Sequence, residues 1–249
     1  MTALLSASLG WRAAFVVPGL VCLAVGAAFL LLVPHEGDRE GQPGGATSAI
    51  PVARPVILLL LFAVAIVAGG MTFNITTIAL PKIIDERAGA ALSLVLTGSI
   101  ATAVFVFGAL TQLLMGRLVD RFKLPTIFAA LSVLQPIGLG LAALTTGAPM
   151  LLGLVLAMAA IYGQVVVNDA MVARYVPAKY RAKAYGVRYF LGFTTSGLAV
   201  PLIALLYGTS GFGLVLGAAA TFGAVIFLCS LAFFLAAQGS PARPAVAAE

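Results

Sequence analysis

The chain has 249 residues, of which 62% are hydrophobic and 9% charged, with a formal net charge of +6. Soluble domains carry about a quarter charged residues, so this composition excludes one. The positive balance does not indicate nucleic acid either, because Lys and Arg sit at the ends of apolar blocks rather than on a soluble basic face.

A bilayer core about 30 Å thick needs about 20 apolar residues in a helix. Seven stretches meet that length: about 13–33, 57–80, 91–115, 125–146, 149–172, 184–207 and 212–237. The alternation in runs of about ten residues that marks a membrane β-barrel is absent from them. Backbone groups in lipid must pair within their own segment, so the expectation is an all-α polytopic transmembrane bundle. The first stretch reads as a retained helix: nothing before Trp11 is basic, and the apolar run is too long for a signal peptide. Residues 34–55 form a Gly- and Pro-rich polar insert that reads as a flexible linker, followed by a six-helix unit over 56–238 and a disordered tail at 239–249. Cys22 and Cys229 fall inside the first and last spans and read as packing residues.

Eleven of the 14 basic residues fall on one side of the spans: Arg39, Arg54, Arg117, Arg121, Lys123, Arg174, Lys179, Arg181, Lys183, Arg188 and Arg243. The positive-inside rule makes that side cytoplasmic, with the N-terminus outside.

Between the third and fourth spans stands Gly116-Arg117-Leu118-Val119-Asp120-Arg121-Phe122-Lys123. It resembles the G-x-L-x-D-R-x-G-R/K signature of major facilitator superfamily transporters, with Gly116, Leu118, Asp120 and Arg121 matching and Lys123 in place of the second glycine. Gly10-Trp11-Arg12 resembles the turn that opens the family's sixth helix, and Pro177 with Arg181, Ala182 and Gly186 the approach to its eleventh. The resemblance implies that residues 1–33 hold the end of the fifth helix and the sixth, the last helix of a truncated N-terminal half. Residues 34–55 would then be the interdomain loop, and 57–237 the seventh to twelfth helices. It implies that Gly116, Asp120 and Arg121 belong to a cytoplasmic gate.

Asp169 is an acid in the interior of a span, and such residues are usually paired or functional. Arg188 lies at the same depth in the next helix, so an Asp169–Arg188 pair is expected, either as a gate latch or as a static packing contact. Asp120 can face the positive N-terminal dipole of a neighbouring helix, and Arg117 and Arg121 also fit plain interfacial anchoring. Toward the middle of the spans the candidate cavity residues are Asn74, Thr102, Gln135, Tyr162, Gln164, Asn168, Thr194 and Thr195. Gln164 and Asn168 share a helix face. The competing expectation for each is interhelical hydrogen bonding.

Gly208-Thr209-Ser210-Gly211 spells the G-x-S-G of a membrane serine protease, but the histidine that such chemistry needs is His35, in the linker. A retinal protein would need a lysine in 212–237, where none occurs. No motif calls for a metal, nucleotide or haem, so no cofactor is expected. The expected function is secondary transport of a small solute, alone or with a proton or counter-solute, in a bacterial inner membrane. The bilayer and the first five helices of the carrier would be its partners. An independent seven-helix receptor or a structural membrane subunit is the alternative.

Overall fold

The computed structural model describes residues 2–32, 55–88 and 92–238, and every regular element among them is an α-helix. The expected linker, save its last residue, and the expected tail lie outside the described residues. In chain order the helices are α1 (Thr2–Leu9), α2 (Ala13–Leu32), α3 (Pro55–Arg87), α4 (Leu94–Arg121), α5 (Leu124–Leu144), α6 (Gly147–Tyr175) and α7 (Ala178–Gln238). The six from α2 to α7 are each long and apolar enough to cross a membrane.

The 61 residues of α7 would span about 90 Å if straight, about three times the bilayer core. They are not straight, because Ser210 (φ −148°, ψ 18°) and Gly211 (φ 68°, ψ −163°) leave helical geometry. The left-handed φ of Gly211 is one that a residue without Cβ adopts freely. The break reverses the chain. Thr195 lies against Gly70 and Asn74, and Tyr207 donates to Glu86 at 2.7 Å, so the arm before the break runs parallel to α3. Beyond the break, Ile226 returns to Gly69 at the other end of the same stretch. The arms over 178–209 and 212–238, here α7a and α7b, are therefore two crossings, and the bundle has the seven segments that the apolar blocks predict.

The junctions are short for identifiable reasons. Phe122 and Lys123 are extended between α4 and α5, and Pro125 starts α5 with its fixed φ. Val176 is extended because it precedes Pro177, which disfavours helical geometry in the residue before it. Such turns of about two residues reverse the chain, but α4 and α5 touch little beyond their junction; the extensive contacts are those of α4 with α6, α5 with α6, and α7 with α3 and α5. At the far end, Arg87 of α3 acts as a cap for α5. Its guanidinium donates to the carbonyl oxygens of Ala142 at 3.2 Å, Ala143 at 3.0 Å and Thr145 at 2.8 Å. These carbonyls have no partner within α5, as at the end of any helix.

The tightest crossing joins α5 to α6. A Cβ on Gly153 would stand 2.6 Å from the Gly138 carbonyl, and one on Gly138 would stand 2.7 Å from the backbone of Gly153 and Ala157. Two further small-residue spacings occur in α7, the G-x-x-x-G step of Gly213 and Gly217 and the Gly192/Ser196 step. Of these, a Cβ on Gly213 would stand 3.6 Å from the Ala143 carbonyl oxygen, whereas Gly192 and Gly217 have open space where a Cβ would go. Spacing along one helix cannot tell which small residue meets a neighbour. Across α5 and α7b, the Ser132 and Ser230 hydroxyls pair at 2.6 Å and Phe128 meets Phe233 edge-on. Among the described residues, α2 has no buried residue and touches only α1, which in turn touches α4.

Arg87→Met should lower stability by about 2 kcal/mol or more, since three charge-assisted acceptors lose their donor at once; thermal unfolding in lipid nanodiscs measures it. Gly153→Ala should cost about 1–3 kcal/mol through forced separation of α5 and α6, and an unchanged unfolding midpoint would show that the crossing is not tight in solution.

Candidate functional site

The buried core falls into two apolar clusters. One holds Met71 to Ile84 of α3, Leu139 and Ala142 of α5, Met150 to Ile161 of α6 and Phe212 to Ala219 of α7b. The other holds Ala65 and Ala68, Leu124 to Leu131, Val167 and Met171, and Ile226 to Phe233. On α5 the gap between them contains Ser132 and Gln135, and on α6 it contains Gln164. A polar layer thus crosses the bundle at mid-depth, where lipid offers no hydrogen bonds and each group must find one inside the protein.

A cavity of about 300 Å³ opens on this layer, walled by α3, α5, α6 and α7a. Four of the amide side chains singled out from sequence line it: Asn74, Gln135, Gln164 and Asn168. Gln135, almost wholly buried, donates through Nε2 to Oε1 of Gln164. Asn74 donates to the Gly70 carbonyl at 2.8 Å and to Thr195 Oγ1 at 3.2 Å, which fixes α3 against α7a. Gln135 Oε1 and Asn168 Oδ1 are buried with no hydrogen-bond partner among the described residues. Phe73, Tyr189 and Phe193 supply aromatic wall, and Gly69, Gly70 and Gly192 leave room. An apolar cavity with a few convergent polar groups is the usual form of a small-molecule site.

Other sequence candidates stand elsewhere. Thr102 and Thr194 are exposed, and each hydroxyl bonds the carbonyl four residues back in its own helix. Thr195 is buried behind the cavity wall, accepting from Asn74. The Tyr162 ring packs against Phe73, Phe105 and the backbone at Gly108.

Arg188, singled out as a gate residue, also lines this cavity. It is 8% exposed and donates to Asp169 Oδ1, with a second, longer bond to the Val165 carbonyl at 3.4 Å. A buried guanidinium without such partners would cost several kcal/mol. Tyr185 adds a hydroxyl on the Asp169 carbonyl at 3.0 Å, tying α7a to α6 again. Nearer the basic end, Arg174 of α6 donates to the Val119 carbonyl of α4 at 2.9 Å and stands 3.7 Å from Asp120. Sequence reading missed Arg174 as a partner of the Asp120 motif. Its distance in sequence from Asp120 gives no signal, because the contact depends on which helices are neighbours. Asp120 is 80% exposed, so the ion pair contributes little beside the carbonyl contact. Arg121 is exposed, and Gly116 has open space where a Cβ would go. No three Asp, Glu, His or Cys side chains converge as a metal site among the described residues.

The family model of the Major Facilitator Superfamily matches residues 60–249, well over half of the chain. No curated protein and no solved structure matches. The motif around Asp120, the helical membrane bundle and this match agree, and the chain belongs to the Major Facilitator Superfamily, whose members are transporters.

Proposed function

We propose that the six helices α3 to α7b form the C-terminal lobe of a secondary carrier that binds a small solute in the cavity lined by Asn74, Gln135, Gln164 and Asn168. The observation that carries this reading is the convergence of these amides, two of them with unmet acceptors, on one cavity at mid-depth. A carrier needs its site there so that either membrane face can reach it. The opposite wall would come from a second lobe, to which α2 belongs, and access would alternate as one lobe rocks against the other. The basic end, with Asp120, Arg174 and Lys179, faces the cytoplasm of a bacterial inner membrane. There the Asp169–Arg188 pair latches α6 to α7a on one side of the solute, and Arg174 holds α4 to α6. The latch is made when the inner side is closed and broken when it opens.

Topology is open to direct measurement. With Cys22 and Cys229 replaced, single cysteines at Lys123 and Lys179 should react with an impermeant maleimide from one membrane face, and those at Thr146 and Thr209 from the other. Lys123 and Lys179 labelled from opposite faces would end the proposal. In the assembled carrier, Asp169→Arg and Arg188→Asp should each lower solute flux by about tenfold or more, and the double exchange should recover part of it. A double exchange as inactive as the singles, with normal folding by size-exclusion chromatography, would sink the latch. Gln164→Ala and Asn168→Ala should raise KM by about fivefold to tenfold each, the worth of about one hydrogen bond.

A further inference from the structure

The amides of the polar cavity do not present donors and acceptors to it evenly. Gln164 Oε1 accepts from Gln135 Nε2, and the side-chain oxygens of Gln135 and Asn168 are buried. Gln135 therefore has nothing left for a solute. Gln164 and Asn168 have their N–H groups, Nε2 and Nδ2, which donate to no partner among the described residues. With them stands Arg188, the one charged residue among those that line the cavity. Its guanidinium donates to Asp169 and, at 3.4 Å, to the Val165 carbonyl, which leaves most of its N–H groups without a protein partner. Asp169 itself is not part of the cavity wall.

This set of groups selects by charge. A cation would meet the guanidinium with no carboxylate on the wall to receive it. A neutral solute would gain ordinary hydrogen bonds. An anion gains charge-assisted ones, about twice as strong, from the same N–H groups. The rest of the wall fixes what stands behind the anion. Phe73 and the stacked rings of Tyr189 and Phe193, with centroids 6.3 Å apart, favour a flat apolar body. The volume of about 300 Å³ takes about ten non-hydrogen atoms, at about 30 Å³ for each water-sized unit.

Building on the reading of the cavity as a substrate site, we propose that the solute is a small monocarboxylate with a planar apolar body, its carboxylate received by Arg188, Gln164 and Asn168. That carboxylate competes with Asp169 for one guanidinium, because two carboxylates around it leave a net negative charge in a site of low dielectric. Asp169, with 36% of its side chain exposed, can turn to water, whereas Arg188 is buried and stays. Solute binding thereby loosens the tie between α6 and α7a and favours opening of the inner side.

The test measures equilibrium binding to the full chain in lipid nanodiscs with three probes of one shape: benzoate, neutral benzamide and cationic benzamidine. Benzoate should bind at least about tenfold more tightly than either of the others, the worth of one charge-assisted hydrogen bond. Arg188→Gln should lower benzoate affinity about tenfold or more, and Arg188→Lys should keep part of it. Asp169→Asn removes the competitor and should raise benzoate affinity about threefold to tenfold, a gain that loss of a packing contact does not produce. Gly192→Leu fills the cavity from a position with open space beside it and should abolish binding. Benzamide or benzamidine bound as tightly as benzoate, and lost in Gly192→Leu, overturns the proposal and leaves the cavity reading standing. An Asp169→Asn chain that elutes as folded protein yet binds benzoate no more tightly than its parent overturns the competition at the latch. Benzoate binding that survives Gly192→Leu, or no binding of any probe, overturns the cavity reading as well.

Discussion

Hydrocarbon supplies no hydrogen bonds, and this structure is organised by that constraint at every level. It makes the spans helical, and it explains why α5 cannot end freely near the bilayer surface. Arg87, from a different helix, supplies donors to the last carbonyls of α5. The same rule disposes of many hydroxyls, though those of Thr77 and Thr97 stay buried without a partner among the described residues. Thr72, Thr76, Ser99, Thr102, Thr111, Thr194 and Thr221 each bond a carbonyl four residues earlier in their own helix. Such a side chain has spent its donor locally and has little left for a solute. Amides reach farther and have two ends, so they link helices and still carry an unused group. That difference in reach separates Gln135, Gln164 and Asn168 from the threonines.

The ion pair follows from the same logic. A guanidinium at the depth of Arg188 requires a partner, and Asp169 on the adjoining helix meets the requirement. Replacing both by apolar residues would cost little stability in many proteins. Here the pair joins α6 to α7a beside the cavity. The Ser132–Ser230 pair is the contrast: wholly buried between α5 and α7b, it faces no open space and serves only to hold two helices together.

Elements whose cause is local were legible in the sequence. Apolar run length set the spans, Pro and polar residues set the turns, and the reversal at Ser210–Gly211 appeared as a short uncharged gap. Asp169 and Arg188 could be matched because depth along a helix is countable. Contacts that depend on lateral neighbours were not legible. Nothing in the sequence says that Gln135 of α5 meets Gln164 of α6, because that follows from the close crossing at Gly138 and Gly153. The capping role of Arg87 and the pairing of Arg174 with the Asp120 motif were hidden for the same reason. So was the position of Arg188 in the cavity wall, since counting residues gives depth but not the direction in which a side chain faces.

The unequal covering of the helices bears on the carrier reading. The apolar window of α6 is 56% buried, whereas that of α4 is 22% and that of α2 is 0%. A helix at the rim of a bundle meets lipid on one side and protein on the other, so roughly half of it is expected to be covered. Helix α6 fits that pattern with cover to spare. Helix α4 falls well short, with exposed residues on both flanks of its buried stripe, at Ala103, Phe107 and Leu110 on one and at Val106, Ala109 and Leu113 on the other. Lipid accounts for one flank. The other is apolar surface on the helix that carries the Asp120 motif, and among the described residues α1 is the one element outside the six-helix block that touches this helix. A second lobe seated there would cover it, and α2, which has no place on the six-helix block, would stand with that lobe.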